Sequence, residues 1–485
     1  MSPVLVLVFI ACYFSLLMII SRITSRKSKD HTYFDGDRQS HWFLVAFGMI
    51  GSGISAVSLV SIPGNVGNNH LYYFQFILGN IVGYLFIAFV LIPLFHKQQL
   101  VSIYTYLQTR FGNVTYKTGS LFFLVSQSFG AAFRLLLSVK ILQTAFFDQL
   151  GIPYFITIIV VLVLIWLYTN KSGIKTIVWT DALQSFFLIT VIVISIVTIK
   201  NYLGFSFSGM VSAVAHHPYS KLFDWDPASG SNFFKQFISG VLITVALVGL
   251  DQSMMQKSLT VKNAKDARKN VLTFSFFIAF AQTLFLALGV LLYVFAEQKG
   301  IGLEMKDGQF LNTDKLYPFL TQNYFGKIGA MAFFIGVVAS TFATIDSCIT
   351  ALTTAFSYDF MDFANRPHAD RKRIKNRVLL AVNIVIFTIV MAFWNSQGAI
   401  IFTIFKIAGY TYGPILGLYM TGLFTKVKLN EKGVPIACVA AALLTYGLNE
   451  YSISAWHYDI GFMNIAVNGL LTMIFLFALK KKQHG

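Results

Sequence analysis

The chain has 485 residues, of which 56% are hydrophobic, 16% aromatic and only 12% charged. Soluble domains carry about 25% charged residues, so this composition excludes a cytosolic enzyme, a secreted disulfide scaffold and a disordered tail. The net charge of +17 raises nucleic acid as a partner, and the placement of the basic residues along the chain decides that question.

A helix needs about 20 mostly apolar residues to cross a bilayer. In chain order, thirteen stretches qualify: 3–21, 42–63, 73–95, 119–147, 153–169, 176–199, 234–255, 271–296, 327–357, 378–394, 399–424, 434–449 and 459–479. The first lacks a basic leader region and a small-residue cleavage site, so it predicts a retained helix rather than a signal peptide. Cys12, Cys348 and Cys438 are widely spaced within apolar stretches. They read as small buried hydrophobes, not as a metal knuckle or a disulfide framework.

The basic residues follow the loops. Alternate loops, beginning with 22–41 and continuing through 96–118, 170–175, 256–269, 358–377 and 426–432 to the tail 480–485, hold 27 of the Lys and Arg residues. The opposite loops hold seven, and Arg134, Lys140 and Lys406 lie within spans. This asymmetry predicts an outside N-terminus and an inside C-terminus. It also accounts for the charge without nucleic acid. The cluster Arg371, Lys372, Arg373, Lys375 and Arg377 predicts an anchor beside anionic lipid. The outside loops 200–233 and 297–326 are too short to bury cores of their own.

Polar groups deep in a span are costly and mark candidate functional positions. Four places stand out. Gly51-Ser52-Gly53-Ile54-Ser55-Ala56-Val57-Ser58 is a poor continuous helix in the middle of span 42–63. A break there would free carbonyls for a cation; a small-residue packing face is the alternative. Within span 327–357, Ser340, Ala343, Thr344 and Ser347 share one helical face, with Asp346 at its edge. Hard oxygen ligands without Cys or His suit an alkali cation, although hydroxyls can bond back to the i−4 carbonyl instead. Asp181, in Trp179-Thr180-Asp181-Ala182-Leu183-Gln184, sits near the cytoplasmic start of its span, where a dipole-facing charge is the alternative role. Arg134 lies near the centre of span 119–147 and must face water, a protein acid or an anionic ligand. Lys140 and Lys406 lie where their stems can snorkel.

Five motifs in register resemble the sodium/solute symporter family. They are the serine-rich stretch ending Ile62-Pro63-Gly64, the loop Ser102–Leu107 with Arg110-Phe111-Gly112, the run Ser172–Gln184, Asp251-Gln252 followed by Gln256-Lys257, and the Thr344–Ser347 helix preceding Tyr358-Asp359-Phe360. The resemblance implies an all-α, leucine-transporter-like membrane fold of about 13 helices with a 5+5 inverted repeat. Its divisions would be residues 1–41 (an extra helix and loop), 42–200 (first repeat), 201–233 (an outside loop), 234–424 (second repeat) and 425–485 (two further helices). It implies a sodium site from Gly51, Ile54, Ser340, Ala343 and Thr344, with Ala343 standing where many members have serine. It implies a second sodium site from Asp181, Asp346 and Ser347, Asp346 replacing the usual serine. Arg134 matches an arginine that binds the substrate carboxylate in members similar to sialic acid transporters, and Ser55, Ser58 and Gln75 would add hydrogen bonds.

The expected function is therefore sodium-coupled import of a small organic solute across the cell membrane by alternating access. The leading substrate is a carboxylated sugar such as sialic acid, or another organic anion. A neutral sugar or amino acid is the alternative, with Arg134 then paired to a protein acid. A non-transporting membrane sensor is more distant, since the short basic tail leaves no room for a signalling domain. An enzyme is not expected, because no His lies deep in a span near Ser or Asp. The expected partners are the solute, sodium ions and lipid, with the monomer as the functional unit.

Overall fold

The computed structural model describes residues 3–25, 36–306, 308–395, 400–456 and 458–481. Much of the basic loop 22–41 and most of the tail 480–485 lie outside the described residues. The elements in chain order are α1 (Pro3–Ser25), α2 (Trp42–Gly53), α3 (Ala56–Gly64), α4 (Tyr73–Lys97), α5 (Thr105–Arg110), α6 (Asn113–Leu142) and α7 (Tyr154–Tyr202). There follow α8 (Phe233–Gly249), α9 (Gln252–Leu259), α10 (Ala264–Gln298), α11 (Leu316–Tyr324) and α12 (Gly326–Met361). The last are α13 (His368–Ala392), α14 (Ile400–Phe424), α15 (Val434–Trp456) and α16 (Asn464–Ala478).

Among the described residues, eight helices are long and apolar enough to cross a membrane, and two bent pairs bring the number to ten if each counts as one span. Shorter apolar runs at Ala11–Thr24 and Tyr154–Thr169 fall where further spans were expected. The expected split at 170–175 is a sharp kink in α7 at Gly173, whose φ of 58° and ψ of −176° only glycine adopts readily.

The surface and interior follow lipid rather than water. Large apolar side chains such as Phe89, Leu121, Phe276 and Leu443 point outward, while Asp181, Asp251, Lys257, Asp346 and Asp359 are buried. One cysteine departs from expectation: Cys12 is exposed, on the outer face of α1, whereas Cys348 and Cys438 are buried. In a bilayer, helices gain little from hiding apolar surface from lipid, so small residues that allow close approach supply the packing. Gly79 on α4 and Gly240 on α8 face each other, and a Cβ on either would collide with the partner's backbone carbonyl. Gly413 and Gly417 on α14 receive Asn468 and Thr472 of α16 in the same way.

The two bent pairs position everything that follows. Helices α2 and α3 meet at 59° around Ile54–Ser55, and α8 and α9 meet at 64° around Leu250–Asp251. Each second half is capped by its own side chain: Ser55 Oγ accepts from Ser58 N at 3.4 Å, and Asp251 Oδ1 accepts from Ser253 N at 2.7 Å and Met254 N at 3.2 Å. Helix α12 packs along α7 and α6, and α2 lies against α7. The expected span 234–255 runs on to Leu259, so Lys257 is not a loop cation but a buried residue of α9. Overpacking costs about 1–3 kcal/mol, so Gly240→Leu should lower the detergent melting temperature of the purified protein, and an unchanged melt would contradict this packing.

Candidate functional site

Where α2 ends, its carbonyls run out of helical donors. Ile50 O accepts from Ile54 N at 2.8 Å, and the carbonyls beyond it have lost their i+4 partners to the break. Ser185 of α7 clamps this end: its Oγ donates to Phe47 O at 2.7 Å and accepts from Gly51 N at 2.7 Å. A Cβ on Gly51 would lie 2.9 Å from that Oγ, so the position admits no larger residue without displacing α7.

Facing this end is the middle of α12. Thr344 Oγ1 bonds back to Ser340 O at 2.7 Å, Ser347 Oγ to Ala343 O at 2.8 Å, and Ser340 Oγ contacts Val337 O at 3.3 Å. The back-bonding anticipated as the plain alternative is therefore present. It uses only each hydroxyl's hydrogen; the oxygen lone pairs stay free. Thr344 and Ser347 then offer those oxygens to a central cavity of about 130 Å³ that Ser52 and Gly53 of α2 also line. Gly51, Ile54, Ser340 and Ala343 are buried outside its lining. These residues fit a sodium ion: free carbonyls from a helix end on one side, hydroxyl oxygens on the other, and neither thiolate nor imidazole.

The same cavity is lined by Ser55, Ser58, Gln127, Arg134, Asp251 and Cys348. Arg134 Nη1 contacts Cys348 Sγ at 3.7 Å, and no carboxylate among the described residues makes an ion pair with it. Asp251 is the nearby acid, but its oxygens are committed to the α9 cap, the Ser253 hydroxyl and Tyr412 Oη. Gln127 Nε2 donates to Ser253 Oγ at 3.0 Å and reaches Cys348 Sγ at 3.3 Å. Lys140 lies outside this cavity, over the Trp394 ring at 5.8 Å, and Lys406 contacts Glu450 at 3.6 Å.

The sequence-derived set divides cleanly. Ser55, Ser58 and Arg134 meet at one cavity, while Gln75 does not reach it. Its amide is spent on the outside loop, donating to Tyr72 O at 3.1 Å and Ser231 O at 2.8 Å and accepting from Asp224 N at 3.0 Å. Gln75 pins loop to helix and leaves no polar atom for a solute. Asp181 also departs from its expected role, since Lys257 Nζ lies 2.5 Å from its Oδ2. Asp346 accepts from Tyr168 Oη at 2.7 Å, and Ser347 Oγ, whose one hydrogen can serve either this carboxylate or Ala343 O, lies 3.0 Å from it.

Several contributors escaped the sequence reading. Tyr168, Gln127 and Tyr412 were not singled out, and Lys257 was quoted only within a motif and counted with a basic loop; the fold brings them together. Asp359 was quoted only within a motif. It ties α12 to α6 and the 102–104 loop, accepting from Ser102 Oγ at 3.1 Å, Tyr116 Oη at 2.5 Å and Ser120 Oγ at 2.5 Å. The adjoining loop is tied to the second break as well: Ile103 N donates to Gln252 Oε1 at 2.9 Å, and Tyr104 Oη to Leu250 O at 2.8 Å. Helices α6, α9 and α12 are thereby latched through residues 102–104.

The family model "Sodium:solute symporter family" matches residues 33–440. A putative sodium-dependent multivitamin transporter of Drosophila melanogaster is 25% identical over 426 residues, covering 85% of this chain and 68% of that protein. A sodium/sialic acid symporter of Proteus mirabilis is 22% identical over 480 residues, covering 95% and 93%. The chain spans about two thirds of the length of the animal relatives it matches. A solved Na+-coupled sialic acid symporter, described as substrate-bound and outward-open, superposes with a TM-score of 0.81 over 98% of this chain and 97% of that one, at 19% identity. That likeness shows the leucine-transporter-like fold.

Removing the Asp251 carboxylate strips the α9 cap and leaves Tyr412 Oη unpaired, a combined loss of about 2 kcal/mol. Asp251→Ala should therefore lower the melting temperature of the purified protein markedly more than Asp251→Asn, which keeps an N-cap; equal melts would remove Asp251 from this role.

Proposed function

The chain belongs to the sodium:solute symporter family, and we propose that it imports a small organic anion, bound through its carboxylate by Arg134, together with sodium. Sodium-coupled symport through a multi-pass membrane protein is the coarse function, and the substrate class is the finer reading. One observation carries it: a half-buried guanidinium deep in a span opens on the central cavity, and among the described residues no carboxylate makes an ion pair with it. Arginine stays protonated, and a charge at depth is tolerated only where it meets a partner or water. A carboxylate arriving from solution meets both planar N–H donors of the guanidinium at once. The reading is supported by the sialic acid named for the Proteus mirabilis relative. A neutral solute would leave Arg134 without its partner.

The carbonyls at the end of α2 and the oxygens of Ser340, Ala343 and Thr344 would hold the sodium. Bound there, the ion would hold α2 against α12 and steady the part of the cavity wall that carries Ser55 and Ser58. Ion and solute then share one wall, and each raises the other's affinity by the same factor. With the basic loops inside, the latch at Asp359 would lie on the cytoplasmic side, and its opening would release the load inward.

Two tests follow in proteoliposomes with an imposed sodium gradient. Arg134→Ala should reduce uptake of labelled sialic acid or another carboxylated solute about 100-fold, the loss expected for a charge-assisted bidentate contact of ~3 kcal/mol. Uptake at the wild-type rate would overturn the carboxylate reading. Thr344→Ala should raise the sodium concentration for half-maximal uptake about tenfold, equivalent to ~1.4 kcal/mol; an unchanged sodium dependence would remove Thr344 from the ion site.

A further inference from the structure

Asp181 is the full negative charge that would draw a second sodium between α7 and α12, and its oxygens are already taken. Lys257 Nζ stands 2.5 Å from Oδ2, with the lysine side chain 1% and the aspartate 0% exposed. The other oxygen faces Gln184, whose amide, turned so that its nitrogen meets the carboxylate, donates to Oδ1 at 3.2 Å and accepts from Tyr13 Oη at 3.1 Å. Asp346 accepts from Tyr168 Oη at 2.7 Å, and Ser347 Oγ stands 3.0 Å from its other oxygen. A sodium ion on this set would have to share Asp181 with an ammonium at bonding distance, where like charges in a low dielectric repel strongly.

Lys257 has no easy way to yield. It lies within α9, all of whose residues from Gln252 to Leu259 are buried, so it cannot swing to water. Parting it from Asp181 would strand two uncompensated charges in the interior. The residues therefore do not fit a second sodium.

We propose that the Lys257 ammonium is a built-in cation that takes the place of a second sodium at Asp181, leaving one sodium per chain, at the ends of α2 and the face of α12. The inference rests on the sodium site described above. It makes Lys257 a determinant of ion number: the short, second half of the broken helix carries a fixed positive charge to the place where a mobile one would sit.

The experiment counts sodium directly, by binding of radioactive sodium to purified protein in detergent, with sodium-dependent thermal stabilisation as a second readout. The wild type should bind about one ion per chain with a Hill coefficient of about one. Lys257→Gln frees Asp181 and should raise the count to about two with a steeper isotherm, and the double variant Lys257→Gln/Asp181→Asn should return it to one. Should the single variant not fold, the wild-type count and the double variant, which removes both charges together, still decide. Two ions in the wild type, or one in a folded Lys257→Gln, overturn this inference alone. No ion in the wild type overturns the sodium site itself, and this inference with it.

Discussion

In a bilayer, a backbone N–H or C=O has only protein to turn to, and a charge has only another charge or a wet cavity. That constraint governs this molecule at its two interruptions. Breaking α2–α3 and α8–α9 exposes helix ends at depth, and each end has to be answered locally. At the first, Ser55 answers a freed N–H of α3, and Ser185 clamps the last turn of α2 between Phe47 O and Gly51 N. At the second, Asp251 answers the α9 donors and holds Tyr412 of α14 at the same time. The cavity exists because these two ends point toward each other across α6 and α12.

Much of this was readable in the sequence, because membrane helices must be apolar and exceptions show. The Gly-Ser run at 51–58, the hydroxyl face of 340–347 and Arg134 all surfaced that way, and Ser52, Gly53, Ser55, Ser58, Thr344, Ser347 and Arg134 from them line one cavity. What was not readable depended on distance along the chain. Lys257 looked like one more positive loop residue, because hydropathy ends the span before it. Only the continuation of the broken helix to Leu259 shows that it is buried. Gln75 failed for the opposite reason: a buried amide on a helix next to the site looks like a solute ligand, and nothing local reveals that the outside loop consumes it.

The buried charges are distributed with economy. Asp181 is neutralised by Lys257, Asp251 caps a helix, and Asp359 rests among three hydroxyls. Arg134 is the exception, and the exception coincides with the cavity. Protein partners at Asp181, Asp251 and Asp359, beside a guanidinium open to the cavity, support the proposed anionic solute over a cation or a neutral one.

The Lys257–Asp181 pair has an energetic corollary. If a resident ammonium balances that aspartate, one sodium entering with one monocarboxylate moves no net charge. The cycle would then be electrically silent, indifferent to voltage, and bounded by the sodium concentration ratio alone: a tenfold gradient supports about tenfold accumulation and no more. Such a carrier would suit a cell that scavenges its solute without spending membrane potential on it.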